Sequence, residues 1–333
     1  MSRPRLIVCA GPELFASFFP AAQKRQLTRF FEWRRDGARQ LSGIKRLAGA
    51  EALITTWDSP SFSHDLQQLA PELRIIAHCG GEVKSRFARS LFRRLTITTA
   101  PVPMARATAE MGATLLLYCA RNIDHYREQL RRRSNRIYAD LHLHGSTESV
   151  IGREVAMIGF GRIGRALVDL LRGFDLRWWV YDPYVAESVA AKYPARLVSL
   201  PTLLSKAHLL VLTAALTEET RGILDRKRLA CLPDGAVVIN IARGGLVDLA
   251  ALTKEVQRGR IRCALDVTDP LEPLPVDHPL RTLPGAIVTP HVAASHRRVR
   301  HEIADVVMDD LKSFFRGHGV KNRVTTAMLG RMT

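Results

Sequence analysis

Glu154-Val155-Ala156-Met157-Ile158-Gly159-Phe160-Gly161-Arg162-Ile163-Gly164 sets the reading of this chain. A short apolar run with the character of a buried strand leads straight into a GxGxxG turn. Arg162–Leu171 then reads as a helix, and Leu176–Tyr181 as a second strand that ends at Asp182. Strand, glycine turn, helix, strand and acid, in that order, are what a dinucleotide-binding fold requires. Gly159 allows the tight turn, Gly161 lets a pyrophosphate approach the backbone, and Gly164 lets the helix sit close to the strand. At Arg162 and Ile163 the helix N-terminus offers unpaired N–H groups and a positive dipole end to phosphates. Asp182 can accept hydrogen bonds from the adenosine ribose hydroxyls, and its charge would repel a 2′-phosphate. Pro183 and Tyr184 follow, with no Arg to receive such a phosphate, so the expected cofactor is NAD rather than NADP.

On both sides of this motif, short apolar runs alternate with helical stretches, the pattern of parallel sheets with crossover helices. Upstream the expected strands are Leu6–Cys9, Ala52–Thr55, Leu73–Ala77 and Leu95–Thr98, with Pro20–Trp33 and Ser63–Leu69 as helical connections. Ala105 to about Arg132 reads as one long helix, with Met111, Leu115, Leu116 and Ala120 at helical spacing. Ser134–Gly152 is a polar, His-rich connector. The strands after Tyr181 are expected at Leu209–Leu212, Ala236–Ile239, Ile261–Leu265 and Ala286–Thr289, and a final helix at Val299–Phe315. The fold class is therefore α/β, with two doubly wound parallel-sheet domains in series.

Composition narrows the class without naming a chemistry. The 333 residues are 47% hydrophobic and 24% charged, which excludes a disordered chain, a collagen and a coiled coil. No apolar run approaches the ~20 residues needed to cross a bilayer, and Leu6–Ala10 is too short for a signal-peptide core, so a cytoplasmic protein is expected. Cys9, Cys79, Cys119, Cys231 and Cys263 form no CxxC pair and read as free thiols. The net charge is +17, and 40 of the 49 basic residues are Arg, spread along the sequence. With no basic tail and no interleaved aromatics, the charge reads as solvated surface, and neither a nucleic acid nor a membrane is an expected partner. His142-Leu143-His144 lacks a third ligand at useful spacing, so no metal is expected.

Ligands of open α/β sheets bind beyond the carboxyl ends of the strands. Arg243 lies there in Asn240-Ile241-Ala242-Arg243-Gly244-Gly245, Glu272 in Asp266-Val267-Thr268-Asp269-Pro270-Leu271-Glu272-Pro273, and His291 in Thr289-Pro290-His291. Singly, each is an ordinary surface or loop residue. Together they form a coherent set: Arg to hold a carboxylate by two hydrogen bonds, His to exchange a proton, and Glu to fix the imidazole tautomer.

These stretches resemble the D-isomer-specific 2-hydroxyacid dehydrogenase family, through GFGRIG with YDP, Val238–Asp248, Ala264–Pro275, Thr289–Ala293 and the ATAE at Ala107–Glu110. The resemblance covers about Leu73 to Ala304. It implies a flavodoxin-like substrate domain, 1–105 plus 300–333, and a Rossmann NAD-binding domain, 106–299, paired as a homodimer on the long helix. It implies Arg243 as clamp of the substrate carboxylate and carbonyl, Glu272 as partner of the histidine, and His291 as acid/base. It further implies that Asp266 faces the nicotinamide amide, that Ile241 packs near the ring, and that the segment Leu209–Thr217, with Thr213 and Thr217, lines the adenosine side.

Three departures from the family pattern matter. The carboxylate loop reads His78-Cys79-Gly80-Gly81-Glu82, where the N–H groups of Gly80 and Gly81 are the expected anion donors. Ala215 replaces a family Pro. The glutamate loop carries one extra residue, Leu271, which makes Asp269 a competitor for the role of Glu272; the Glu-Pro pair favours Glu272. The expected activity is NAD-dependent interconversion of a small 2-oxo acid and its D-2-hydroxy acid, with glyoxylate, hydroxypyruvate or a phosphorylated hydroxy acid as candidates. The alternative is an NADH-sensing, corepressor-like protein without turnover. Arg297, Arg298 and Arg300, close after His291, read as a solvated helix face, the alternative being a local potential that favours anionic substrates.

Overall fold

The computed structural model describes residues 3–38, 43–44, 47–132 and 149–332. His142 and His144, and most of the connector, lie outside the described residues. The chain divides into two compact units, Met1–Met104 with Ala294–Thr333, and Ala105–Ala293. The second segment of the first unit begins at Ala294, just ahead of the last long helix. Arg297–Phe315 is one continuous helix whose buried residues include Val299 and Ile303.

The first unit is built on strands β1 (Arg5–Cys9), β2 (Glu32–Asp36), β3 (Ala52–Thr55), β4 (Ile75–His78) and β5 (Thr96–Thr98). They pair in parallel in the order β5-β4-β3-β1-β2, and a short antiparallel strand, Arg323–Val324, closes the β5 edge. The central strands are buried along nearly their whole length, which is why they read as unbroken apolar runs. The helix Arg297–Phe315 buries Val307, Met308 and Leu311 and packs against β4 and the helices Pro12–Phe18 and Ala21–Phe30. β2 is a strand that the apolar pattern missed. Its sequence, Glu-Trp-Arg-Arg-Asp, is polar because it is an edge strand, and the helix before it stops at Phe30.

The second unit contains β6 (Glu154–Ile158), β7 (Arg177–Tyr181), β8 (Ala195–Leu197), β9 (Leu209–Leu212), β10 (Val237–Asn240), β11 (Arg262–Leu265) and β12 (Ala286–Val288). The order is β12-β11-β10-β9-β6-β7-β8, all parallel. Strand order reverses between β6 and β9, so the glycine turn after β6 opens at the switch point where such sheets bind ligands. β8 is again an edge strand without an apolar signature. The expected single helix is two, Pro101–Ala120 and Ile123–Arg132. Asn122 breaks it with φ of 53°, a left-handed conformation that Asn tolerates better than most residues. Its Oδ1 accepts a 2.6 Å hydrogen bond from Arg262 Nη1, which fixes the break against β11. Among the described residues no helix is long and apolar enough to cross a membrane.

Candidate active site

The glycine turn has the form a dinucleotide needs. Gly159 has φ of +90°, and a β-carbon there would stand 2.5 Å from the backbone of Ala214. A β-carbon on Gly164 would stand 2.8 Å from Met157 Sδ and 2.9 Å from the Gly159 carbonyl oxygen. Gly161 is different: a β-carbon there meets nothing within 4 Å. Two glycines are thus required by protein packing, while the third keeps open space at a helix start. The helix Arg162–Leu170 has no side-chain cap at Gly161, so its first N–H groups are left for an anion. The helices starting after Asp225 and Asp248, by contrast, are capped by those carboxylates.

Asp182 sits at the end of β7, as expected for a ribose acceptor. Its Oδ2 accepts the Phe160 N–H at 2.7 Å and its Oδ1 accepts the Tyr184 N–H at 2.9 Å. A carboxylate has about four lone-pair sites, so it retains capacity for ribose hydroxyls while already braced by the glycine turn. Thr213 is buried, and its hydroxyl donates to the Gly159 carbonyl at 2.5 Å, so it shapes the turn. The Thr217 hydroxyl donates to Glu219 Oε2 at 2.6 Å. Ile241 is buried at 3% exposure, and its Cδ1 lies 2.5 Å from where a β-carbon on Gly112 would stand.

Three loops beyond β10, β11 and β12 carry the polar set. Asn240, 1% exposed at the end of β10, pins the first: its Nδ2 donates to the Arg243 carbonyl at 2.8 Å and its Oδ1 accepts from Ala242 N–H at 3.1 Å. Arg243 is half-buried, and its Nη1 donates to the Ala242 carbonyl at 2.7 Å. A β-carbon on Gly244 would stand 2.1 Å from the Thr268 carbonyl carbon, so only glycine lets this loop lie on the one after β11. In that second loop Thr268 N–H donates to Glu272 Oε1 at 3.1 Å and its hydroxyl donates to the Leu271 carbonyl at 2.5 Å. The extra residue is therefore absorbed as a braced turn with the Leu271 side chain half exposed.

Glu272 Oε2 stands 2.8 Å from His291 Nδ1. Asp269, the competitor, turns toward Arg221 instead, with its Oδ2 3.6 Å from Nη1. His291 has φ of 53°, and its N–H donates to the carbonyls of Asp266 at 2.8 Å and Thr289 at 3.0 Å. Asp266 is 1% exposed, and its carboxylate is engaged by the His291 loop. Oδ1 accepts from the Thr289 hydroxyl at 2.6 Å and Val292 N–H at 3.0 Å; Oδ2 accepts from Ala293 N–H at 3.0 Å. Asn240, Thr268 and Thr289 position this site and were not singled out from the sequence. Asn240 and Thr289 left a signal, a polar residue at or just past the end of a strand, whereas Thr268 lies three residues beyond β11 and left none.

The Gly80–Gly81 loop lies in the first unit, after β4. It departs from expectation at Gly80, whose N–H donates to the His78 carbonyl at 2.8 Å and is thus spent on a tight turn. A β-carbon on Gly80 would stand 2.4 Å from His78 Nε2 and 3.0 Å from Trp57 Nε1. His78 is fully buried with its Nδ1 2.9 Å from the Thr55 hydroxyl; burial, with help from Arg86, pushes the imidazole down to about 3.

The chain is similar to known proteins over most of its length. The family model for the D-isomer specific 2-hydroxyacid dehydrogenase, NAD binding domain, matches residues 113–293, over half of the chain. The D-3-phosphoglycerate dehydrogenase of Methanocaldococcus jannaschii is 30% identical over 286 residues, covering 84% of this chain and 53% of that protein. This chain thus spans about half the length of that relative. The glyoxylate reductase of Korarchaeum cryptofilum is 29% identical over 284 residues, 84% of each chain. A crystal structure of a phosphoglycerate oxidoreductase from Rhizobium etli superimposes with TM-score 0.80 at 27% identity, over 97% of this chain and 98% of that one. A nucleotide turn, a matched NAD-binding domain and a shared two-unit fold lead to one conclusion: this chain belongs to the D-isomer specific 2-hydroxyacid dehydrogenase family.

Proposed function

We propose that the protein is an NAD-dependent D-2-hydroxyacid dehydrogenase that acts at C2 of a small 2-oxo or 2-hydroxy acid. The observation that carries this reading is the 2.8 Å pairing of His291 Nδ1 with Glu272 beyond the carboxyl edge of the NAD-binding sheet. Bound NAD(H) supplies or accepts the hydride. With Nδ1 held by the carboxylate, Nε2 is the atom that gives a proton to the C2 oxygen in reduction and takes it in oxidation. Arg243 is the cation for the substrate carboxylate and for charge that develops on the C2 oxygen. Gly161, the free N–H groups of Arg162 and Ile163, and Asp182 hold the pyrophosphate and ribose, and Asp182 favours NAD over its 2′-phosphorylated form. Asp266 acts here through the loop it holds as well as through any contact with the nicotinamide amide. A homodimer is part of the same proposal, and light scattering would show twice the chain mass.

The dehydrogenase and reductase names of the relatives favour turnover over the NADH-sensing alternative. The test is an NADH fluorescence titration, continued in the same sample with glyoxylate, hydroxypyruvate and phosphohydroxypyruvate. Catalytic loss of the NADH signal with any of them supports the reading. NADH binding without turnover of any 2-oxo acid would sink it in favour of sensing.

A further inference from the structure

Arg243 and Glu272 stand on neighbouring loops of the second unit, and the proposed chemistry needs both held at a fixed spacing. From Arg243 the loop after β10 runs directly into Gly244 and Gly245. A β-carbon on Gly244 would stand 2.1 Å from the Thr268 carbonyl carbon and 2.5 Å from the Asp269 nitrogen, so this loop lies backbone against backbone on the loop after β11. At Gly245 the neighbours are charged side chains. A β-carbon there would stand 3.1 Å from Arg221 Nη1 and 3.2 Å from Asp269 Oδ2. The bare backbone at 245 thus leaves room for the Arg221–Asp269 ion pair, at 3.6 Å, beside the loop that carries Arg243.

That pair joins three loops. Arg221 belongs to the loop after β9, which is fastened to the loop after β10: the Gly222 N–H donates to the Gly245 carbonyl at 2.8 Å and the Leu224 N–H to the Leu246 carbonyl at 3.0 Å. Asp269 follows Thr268, whose N–H donates at 3.1 Å to Glu272, the carboxylate that meets His291. A connection therefore runs from Arg221 past Gly245 to Asp269, and on through Thr268 to the partner of the proposed acid/base. Among the described residues neither Arg221 nor Asp269 has another ion-pair partner. Their side chains are 62% and 47% exposed, so the pair adds little to the stability of the fold. What it fixes is the spacing of the loops on either side of Gly244 and Gly245.

We propose that Arg221 and Asp269 are positioning residues: their ion pair beside Gly245 sets the loop of Arg243 against the loop of Glu272, and substrate binding by Arg243 depends on it. The proposal rests on the dehydrogenase reading for the roles of Arg243 and Glu272. Asp269, a rival of Glu272 in the sequence, has its own task here.

Two measurements on the full chain test it. In the first, kinetics with NADH and the 2-oxo acid turned over best are compared for Arg221→Ala, Asp269→Ala and the double variant. Each single variant should raise KM by about tenfold, with kcat changed less than about threefold and NADH affinity unchanged. The double variant should be no worse than either single one, because the first substitution already breaks the pair. Arg221→Lys, which keeps the charge, should retain part of the wild-type KM. Thermal melts should move by no more than about 3 °C, which separates positioning from loss of fold. An unchanged KM in the single variants, losses that multiply in the double variant, or an equal loss in NADH affinity overturns the proposal.

The second measurement needs no turnover. Amide hydrogen exchange of Asp269→Ala should be about tenfold faster at Gly222, Leu224 and Thr268, and unchanged at Phe160 in the nucleotide turn. Unchanged exchange at the three loop amides overturns the tie between the loops. A wild type that turns over no 2-oxo acid would instead defeat the dehydrogenase reading, and the exchange result would still decide whether the pair holds these loops.

Discussion

Asp266 holds His291 through the backbone: its carbonyl accepts the His291 N–H at 2.8 Å, and its buried carboxylate accepts the two N–H groups that follow, Val292 and Ala293. The left-handed backbone of His291 is maintained by these bonds, and with it the aim of the imidazole at Glu272. Asp266→Asn would turn one acceptor toward a donor and leave an N–H unsatisfied. Stability should fall by about 1–3 kcal/mol in urea titrations. kcat should fall by about tenfold or more, because a small misplacement of a proton donor is costly.

His291→Ala removes the proposed acid/base itself. Stopped-flow and steady-state assays should show kcat lowered by about 10²–10⁴-fold, with NADH affinity unchanged. Glu272→Gln keeps the hydrogen-bonding shape but not the charge, and should give a smaller loss. A His291→Ala enzyme with full turnover would remove the histidine from the mechanism.

The glycines of the site divide into two kinds, and substitutions should separate them. Gly244→Ala places a methyl group on the Thr268 carbonyl, so stability should drop by about 3 kcal/mol or more, or the chain should fail to fold. Gly161→Val meets open space, so its melting temperature should stay close to that of the wild type. NADH should nevertheless bind about tenfold or more weakly, because the new side chain occupies room meant for the pyrophosphate.

His78 gives the fold a defined acid sensitivity. In the folded protein burial holds its imidazole neutral down to about pH 3. The unfolded chain takes up that proton below about pH 6.5. Stability that His78 provides at neutral pH is thus lost as pH falls through this window, at on the order of 1 kcal/mol per pH unit. His78→Gln lacks the titration. The stability gap between wild type and variant should narrow from pH 6 toward pH 4 in urea unfolding, and a constant gap would contradict the assignment.

Thiol chemistry should report the same packing. Cys9, Cys79, Cys119 and Cys263 are buried, and burial raises each thiol, with Cys119 pushed up to about 11 and Cys9 and Cys263 up to about 12. Cys231 is exposed. Ellman's reagent should therefore modify one thiol quickly in the native protein and all five in guanidinium chloride.

The sequence by itself determined the buried strands of both sheets and the glycine turn with Asp182, and it put Arg243, His291 and two rival carboxylates, Asp269 and Glu272, forward as candidates. Strands covered on both faces must be apolar along their length, and a nucleotide turn must be glycine where backbones approach, so both leave local marks. Edge strands β2 and β8 left none, because one side of each faces solvent and no alternation is imposed on it. Nor does spacing state which carboxylate of a loop turns inward. Glu272 rather than Asp269 meets His291 because Asp269 turns toward Arg221, a residue 48 positions away. In the same way, Arg297, Arg298 and Arg300 look alike along the chain, and only the indole of Trp57 distinguishes the third. Which way a side chain points, and what it can pair with, depends on neighbours brought in from distant sequence, and that the tertiary structure alone decided.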